Sequence, residues 1–200
     1  MKTKFILLAI GILYYQSGMA QKEKFYFTTS VGVIKGLSNF ATVTKPSIGF
    51  NSAIEMNLKR HFYLQGTLDF NSLKYNQKQV DATSEYIFQD TNSSLLLIGM
   101  NVGKNITFSD SPFFTSFYIG TGFLNNSEPR VVRQINHIVS QKNISHKSIF
   151  GRGGLRMGYQ TKSKILQTLY MDTSYWTSPT QVQGGNIQGI SFFIGTRYGI

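Results

Sequence analysis

The chain contains no cysteine. Disulfide staples, thiolate metal sites, a cysteine nucleophile and a lipidated N-terminal cysteine are all excluded by that one absence. Charge is scarce as well: Asp, Glu, Lys and Arg make up 14% of the residues, and only 9 are acidic against 20 basic, for a net charge of +11. Proline occurs 4 times, and no Pro- or Ser-rich linker, low-complexity tract or internal repeat divides the 200 residues. One domain is expected. Long apolar runs are missing too. Beyond the first twenty residues the longest is Leu95 to Ile98, far short of the about 20 residues that a spanning helix needs. What the chain does have is 16 Phe, 11 Tyr and 19 Gly within a hydrophobic fraction of 41%. That fraction suits a folded chain, and the aromatic and β-branched content favours strands.

Residues 1–20, MKTKFILLAIGILYYQSGMA, have the order of a secretory signal peptide. Lys2 and Lys4 supply the positive n-region, Phe5 to Tyr15 the apolar core, and Gly18 and Ala20 the small residues before cleavage at Gln21. Domain 21–200 is expected to follow. Removal of Lys2 and Lys4 leaves 18 basic and 9 acidic residues, a charge of +9.

From there on the sequence alternates between apolar and polar residues, the period-2 pattern of strands. Eight such segments are legible: 25–35, 47–58, 61–73, 93–104, 113–123, 148–160, 165–176 and 189–200, with no helix among them. Phe27, Val31, Phe50, Ile54, Leu68, Phe70, Phe117, Phe123, Met171 and Phe192 belong to the apolar faces. Tyr26, Thr28, Tyr63, Gln65, Phe114, Tyr118 and Tyr170 belong to the opposite ones. Links near 59–60, 105–111 and 161–163 are short, and those near 36–46, 76–91, 125–147 and 177–187 are long. Within 125–147, Val131, Val132, Ile135, Ile138 and Val139 suggest that the flanking strands extend as a hairpin or carry a contact surface. An even strand count with alternating short and long connections is the layout of a transmembrane β-barrel, and strands of this length satisfy the 9–11 residues that a tilted membrane strand requires. The fold class is therefore all-β, an eight-stranded antiparallel up-and-down transmembrane β-barrel with both termini on the periplasmic side.

A soluble eight-stranded barrel alternates in the same way but turns its apolar face inward. Six charges sit within the strands, and all fall on the polar face: Glu55, Asp69, Arg152, Arg156, Asp172 and Arg197. Three acids and three bases can pair inside a lumen, whereas unmatched buried charges are costly. They are read as an interior charge network, with charges solvated by trapped water near a barrel mouth as the alternative. The apolar face carries lysines only at strand ends (Lys35, Lys74 and Lys104), as a lipid-facing surface demands. Phe25, Phe62, Phe113, Tyr159 and Tyr198 would form an aromatic girdle at one interface.

The segments FYFTTSVGVIKGLSNF, SIGFNSAIEMNLKRHFYLQGTLDFNSLKY and ISFFIGTRYGI, together with the signal ending Gly18-Met19-Ala20-Gln21, resemble the small outer-membrane β-barrels of Bacteroidota often labelled PorT-like. The resemblance covers 21–200 and is one of pattern, without invariant catalytic residues. The closing strand departs from the usual terminal aromatic, since it ends in Ile200 with Tyr198 two residues before it. The resemblance implies an outer-membrane location and, for some members, a link to secretion.

Signals for chemistry are poor. Among the three histidines, His61 opens a strand, and His137 and His146 fall in a long loop without ligand spacing, so no metal is expected. His137, Ser140 and Glu128 could together supply the base, nucleophile and acid of a lipid-A-modifying enzyme, a minor alternative to a non-enzymatic role. Gly151-Arg152-Gly153-Gly154 lacks the Lys-Ser/Thr ending of a phosphate loop. No catalytic residue and no cofactor is assigned. The basic surplus lies in loops and turns and faces anionic lipopolysaccharide and phospholipid head groups. Nucleic acid is not a partner in this compartment, and no protein partner is named by the sequence. The leading expectation is an outer-membrane barrel with a filled lumen and a structural or interaction role. A soluble periplasmic barrel for an apolar ligand remains a third possibility.

Overall fold

A computed structural model of the chain describes residues 25–80, 86–108, 111–133, 139–163 and 166–199. The signal segment 1–20 lies outside them. Eight strands form the barrel: β1 (Phe25–Gly36), β2 (Ser47–Asn57), β3 (Phe62–Tyr75), β4 (Thr91–Thr107), β5 (Phe113–Arg133), β6 (Val139–Gln160), β7 (Leu166–Val182) and β8 (Gly185–Gly199). Each pairs antiparallel with its sequence neighbour, and β1 closes the ring on β8. Followed from Tyr26, the register passes through Glu55, Gln65, Asn101, Gly120, Arg152, Trp176 and Gly189 and returns to Gly36. The stagger is thus 10 residues (36 − 26), which obliges the strands to tilt against the barrel axis.

Alternation fixes which side faces out. Val31, Phe50, Ile54, Phe70, Ile98, Phe117, Phe123 and Ile194 are exposed, while Tyr26, Thr28, Tyr63, Gln65, Tyr118 and Tyr170 are buried. Along β5 the outward face runs from Phe113 to Phe123. Those ten steps (123 − 113) rise about 33 Å at roughly 3.3 Å each, or about 25 Å along the axis at a tilt of about 40°. An apolar band of that height is what a lipid environment covers. A soluble apolar-ligand barrel would have the reverse arrangement.

The lumen has two layers. The half nearer the termini is polar. The half nearer the long connections holds an apolar cluster that includes Ile34, Leu73, Leu95, Leu97, Leu124, Phe150, Trp176 and Ile187. Phe40 and Val43 join it from a one-and-a-half-turn helix, α1 (Ser38–Val43), folded over the opening between β1 and β2. The phenylalanine ring meets Trp176 edge-on at 6.4 Å. The alternation gave no sign of this helix; its buried residues are spaced i, i+3, a helical interval too short to register as periodicity. Thr44 and Lys45 then pair with Tyr75 and Lys74 of β3.

One long connection is shorter than the sequence expectation, and another takes the hairpin form that its apolar residues suggest. The link expected over 177–187 is a two-residue turn, Gln183-Gly184, with φ of 52° and 77°, the left-handed pair that a tight hairpin needs. The extension suggested within 125–147 is present: β5 and β6 continue as a paired ribbon as far as Arg133 and Val139.

Candidate functional site

The six interior charges converge. Arg156 on β6 donates from Nη1 to Glu55 Oε2 (2.8 Å) and from Nε to Asp172 Oδ2 (3.1 Å). Arg197 on β8 reaches Glu55 Oε1 at 2.9 Å. Arg152, two pleat repeats above Arg156 on β6, pairs with Asp69 of β3. Every one of these groups is buried. Desolvation of this kind is tolerable only when the charges are matched and hydrogen-bonded. Neutral groups complete the set: the Tyr118 hydroxyl donates to Asp172 Oδ1 at 2.6 Å, and the Asn51 amide donates to Asp69. Aromatic faces cover the cations, with Arg156 4.6 Å from the Tyr170 ring and Arg197 4.5 Å from that of Tyr26. Tyr118 and Asn51 lie on the polar face in the sequence pattern, but their roles depend on which strands meet across the lumen, and alternation carries no such information.

Small residues make room for these rings. Tyr63 lies over its cross-strand partner Gly103, and Tyr118 over Gly154; a Cβ at either glycine would collide with the ring. The packing leaves a central cavity of about 10 Å³, bordered by Ser30, Gln65, Asn101, Arg152, Arg156 and Asp172. That is room for about one water molecule. At the terminal end a polar recess of about 390 Å³ opens between Asn57, His61, Asn105, Gln160, Gln167 and Arg197.

The aromatics singled out from the sequence stand on the outer surface near this end. Phe25, Phe62, Phe113 and Tyr159 are 40–57% exposed, and Tyr198 pairs in register with Phe27. Phe113 and Tyr159 are cross-strand partners in edge contact at 5.3 Å. Phe62 lies beneath the Lys104 ammonium at 5.4 Å.

A second polar cluster, absent from the sequence reading, lies inside the ribbon of β5 and β6. Glu128 is fully buried; it accepts from Arg130 Nη2 (2.8 Å) and Nε (3.1 Å) and lies 3.0 Å from His146 Nε2. His146 is therefore a strand residue with a carboxylate partner, not a solvated loop histidine. The period-2 spacing of Glu128 and Arg130 was its available signal. Ser140 also falls in β6, and His137 lies outside the described residues. Above this cluster, Gln183 Oε1 accepts from the backbone N–H groups of Lys78 and Gln79, so that segment is tied to the β7–β8 turn. On the rim, Lys45 donates to Asp90 at 2.8 Å and, with its charge, holds that carboxyl below the usual carboxylate range. Among the described residues no group of three His, Asp or Glu side chains is placed to hold a metal ion.

No family model matches the sequence, and no curated protein matches it. Solved structures do. Neisserial surface protein A is 13% identical, with a TM-score of 0.61 over 87% of this chain and 96% of its own. A major outer membrane protein from Thermus thermophilus is 11% identical, with a TM-score of 0.61 over 88% of this chain and 99% of its own. The attachment invasion locus protein of Yersinia pestis, in complex with the heparin analogue sucrose octasulfate, is 10% identical, with a TM-score of 0.50 over 89% and 100%. The chain thus has the closed eight-stranded antiparallel fold of small outer-membrane β-barrels.

Proposed function

We propose that the chain is an exported, non-enzymatic outer-membrane protein of the PorT-like kind, which works through its ends and not through its lumen. The observation that carries this reading is the filled interior: a matched charge network in one half and an apolar plug under α1 in the other. Transport of solutes has no path. Both termini and the turns around 58–61 and 161–163 then face the periplasm, while the ribbon, α1 and segment 76–80 face outward. Exposed Lys35, Lys74 and Lys147 near the outward rim oppose the phosphates of lipopolysaccharide and phospholipid head groups. The aromatics Phe25, Phe62, Phe113, Tyr159 and Tyr198 serve as the periplasmic interface belt. Lipid-A modification by His137, Ser140 and Glu128 is disfavoured because Glu128 is already engaged by Arg130 and His146. A link to secretion rests on the PorT-like resemblance alone.

Trypsin added to intact cells tests the placement. Cleavage after Lys78 or Lys142, with Lys59, Arg60 and Lys162 spared until the outer membrane is permeabilised, is the expected pattern. The opposite pattern would invert the orientation, and recovery in a detergent-free soluble fraction would overturn the membrane location.

A further inference from the structure

Among the described residues, the ribbon leaves one strand edge open. β6 pairs with β7 from Gln160 up to Gly151, opposite Thr177, and no further. Its pairing with β5 continues to Val139. The split falls where β7 reads Ser178-Pro179, and proline cannot donate to a ladder. Among the described residues, β6 is thus hydrogen-bonded along one side only from Gln141 to Ser148. The cross-strand side-chain contacts in this stretch, Ser145 with Asn125 and His146 with Glu128, are made toward β5, and Gln141 Nε2 donates to Asn143 Oδ1 along β6 itself. An edge of this length, about 26 Å at 3.3 Å per residue, is a template for an added strand.

We propose that the Gln141–Ser148 edge binds an extended acidic segment of a partner polypeptide as a further strand of the ribbon. This rests on the reading of the long-connection end as the interaction surface. Charge selects the partner. Segments 128–133 and 139–148 carry Arg130, Arg133, Lys142 and Lys147 against the single acid Glu128, and Lys142 and Lys147 are exposed on the edge strand itself. A second copy pairing antiparallel would bring another Lys142 and Lys147 to an edge strand that has no acid to set opposite Lys142 or Lys147, and like charges gathered along a strand pair destabilise it. Acidic residues at those two places reverse the sign. A polyanionic sugar would meet the charge but leave the row of backbone N–H and C=O groups unpaired.

The test uses the full chain refolded in detergent micelles. The probe is an eight-residue peptide with Glu at positions two and seven and Val or Thr elsewhere; its control has Lys at those positions. Amide hydrogen exchange followed by NMR should slow at least tenfold at alternate residues between Gln141 and Ser148 with the Glu peptide only. The alternation arises because the intervening amides are already bonded to β5. A double variant, Lys142→Glu with Lys147→Glu, should exchange the preference to the Lys peptide. Equal protection by both peptides, or no protection at millimolar Glu peptide, overturns the proposal. So does sucrose octasulfate binding at this ribbon when neither peptide protects the edge. In micelles the edge is accessible whichever side of the membrane it faces in the cell. A negative result therefore speaks against the edge alone, and the trypsin experiment against the orientation alone.

Discussion

Arg156 and Glu55 meet across the full width of the barrel. They lie on β6 and β2, four strands apart in either direction around the ring, and their side chains close to 2.8 Å. Through Glu55 the same contact is joined to Arg197, and through Arg156 to Asp172 and Tyr118. Strands that share no backbone hydrogen bond are thereby held in register with one another. In a closed sheet every strand is already paired on both sides, so such bridges add cross-braces and not ladders. A narrow barrel makes this possible, because an arginine and a glutamate together span the lumen.

Arg156→Ala removes the one cation shared by two carboxylates and leaves Glu55 and Asp172 buried with reduced compensation. The loss is expected to be about 3–5 kcal/mol, the cost of breaking a buried pair from one side. Lys162→Ala, at an exposed turn position, should cost less than about 0.5 kcal/mol. Urea unfolding in micelles, or the temperature at which gel mobility shifts, separates the two. Equal, small effects would show that the network carries no stability.

Gly154→Ala should displace the Tyr118 ring and with it the hydroxyl that donates to Asp172 at 2.6 Å. Overpacking of this kind costs about 1–3 kcal/mol. Gly151→Ala is the matched control three residues away: it faces outward, and a Cβ there meets nothing within 4 Å. It should be neutral within about 0.5 kcal/mol. The same unfolding measurement decides, and a Gly154→Ala protein as stable as Gly151→Ala would remove the close-packing account of the interior glycines.

The membrane-barrel architecture was legible because one rule, period-2 alternation, acts along the whole chain, and because Glu55, Asp69, Arg152, Arg156, Asp172 and Arg197 all fall on one phase of it. A face is a local property. Partners across a lumen are not: Glu55 meets Arg156 because of a stagger of 10 residues, and that number is set by the closure of the whole ring. The apolar plug was harder to foresee for a different reason. Leu95, Leu97, Phe150 and Trp176 share the inward phase with polar neighbours, so the inner face changes character halfway up without any break in period. The ribbon was half legible: Val131, Val132, Ile135, Ile138 and Val139 suggested that the strands flanking 125–147 extend as a hairpin. Asn125, Asn126, Ser127, Pro129 and Asn143 read as loop residues and hid the register, which runs from Asn125 opposite Lys147 to Pro129 opposite Asn143.

Two seals in series govern conduction. The charge network blocks the half of the lumen near the termini, and the cluster around Trp176, whose Nε1 donates to Ser191 at 3.0 Å, blocks the other half under α1. Purified protein in planar bilayers should therefore show no steady current, and Trp176→Ala alone should remain silent, because the remaining central cavity of about 10 Å³ offers no continuous water path past Arg152 and Arg156. Brief openings are expected only when both seals are weakened, as in Trp176→Ala combined with Arg152→Ala and Arg156→Ala. Steady channels of porin size from the unaltered chain would contradict the filled lumen, and a conducting Trp176→Ala variant would assign the whole barrier to the apolar half.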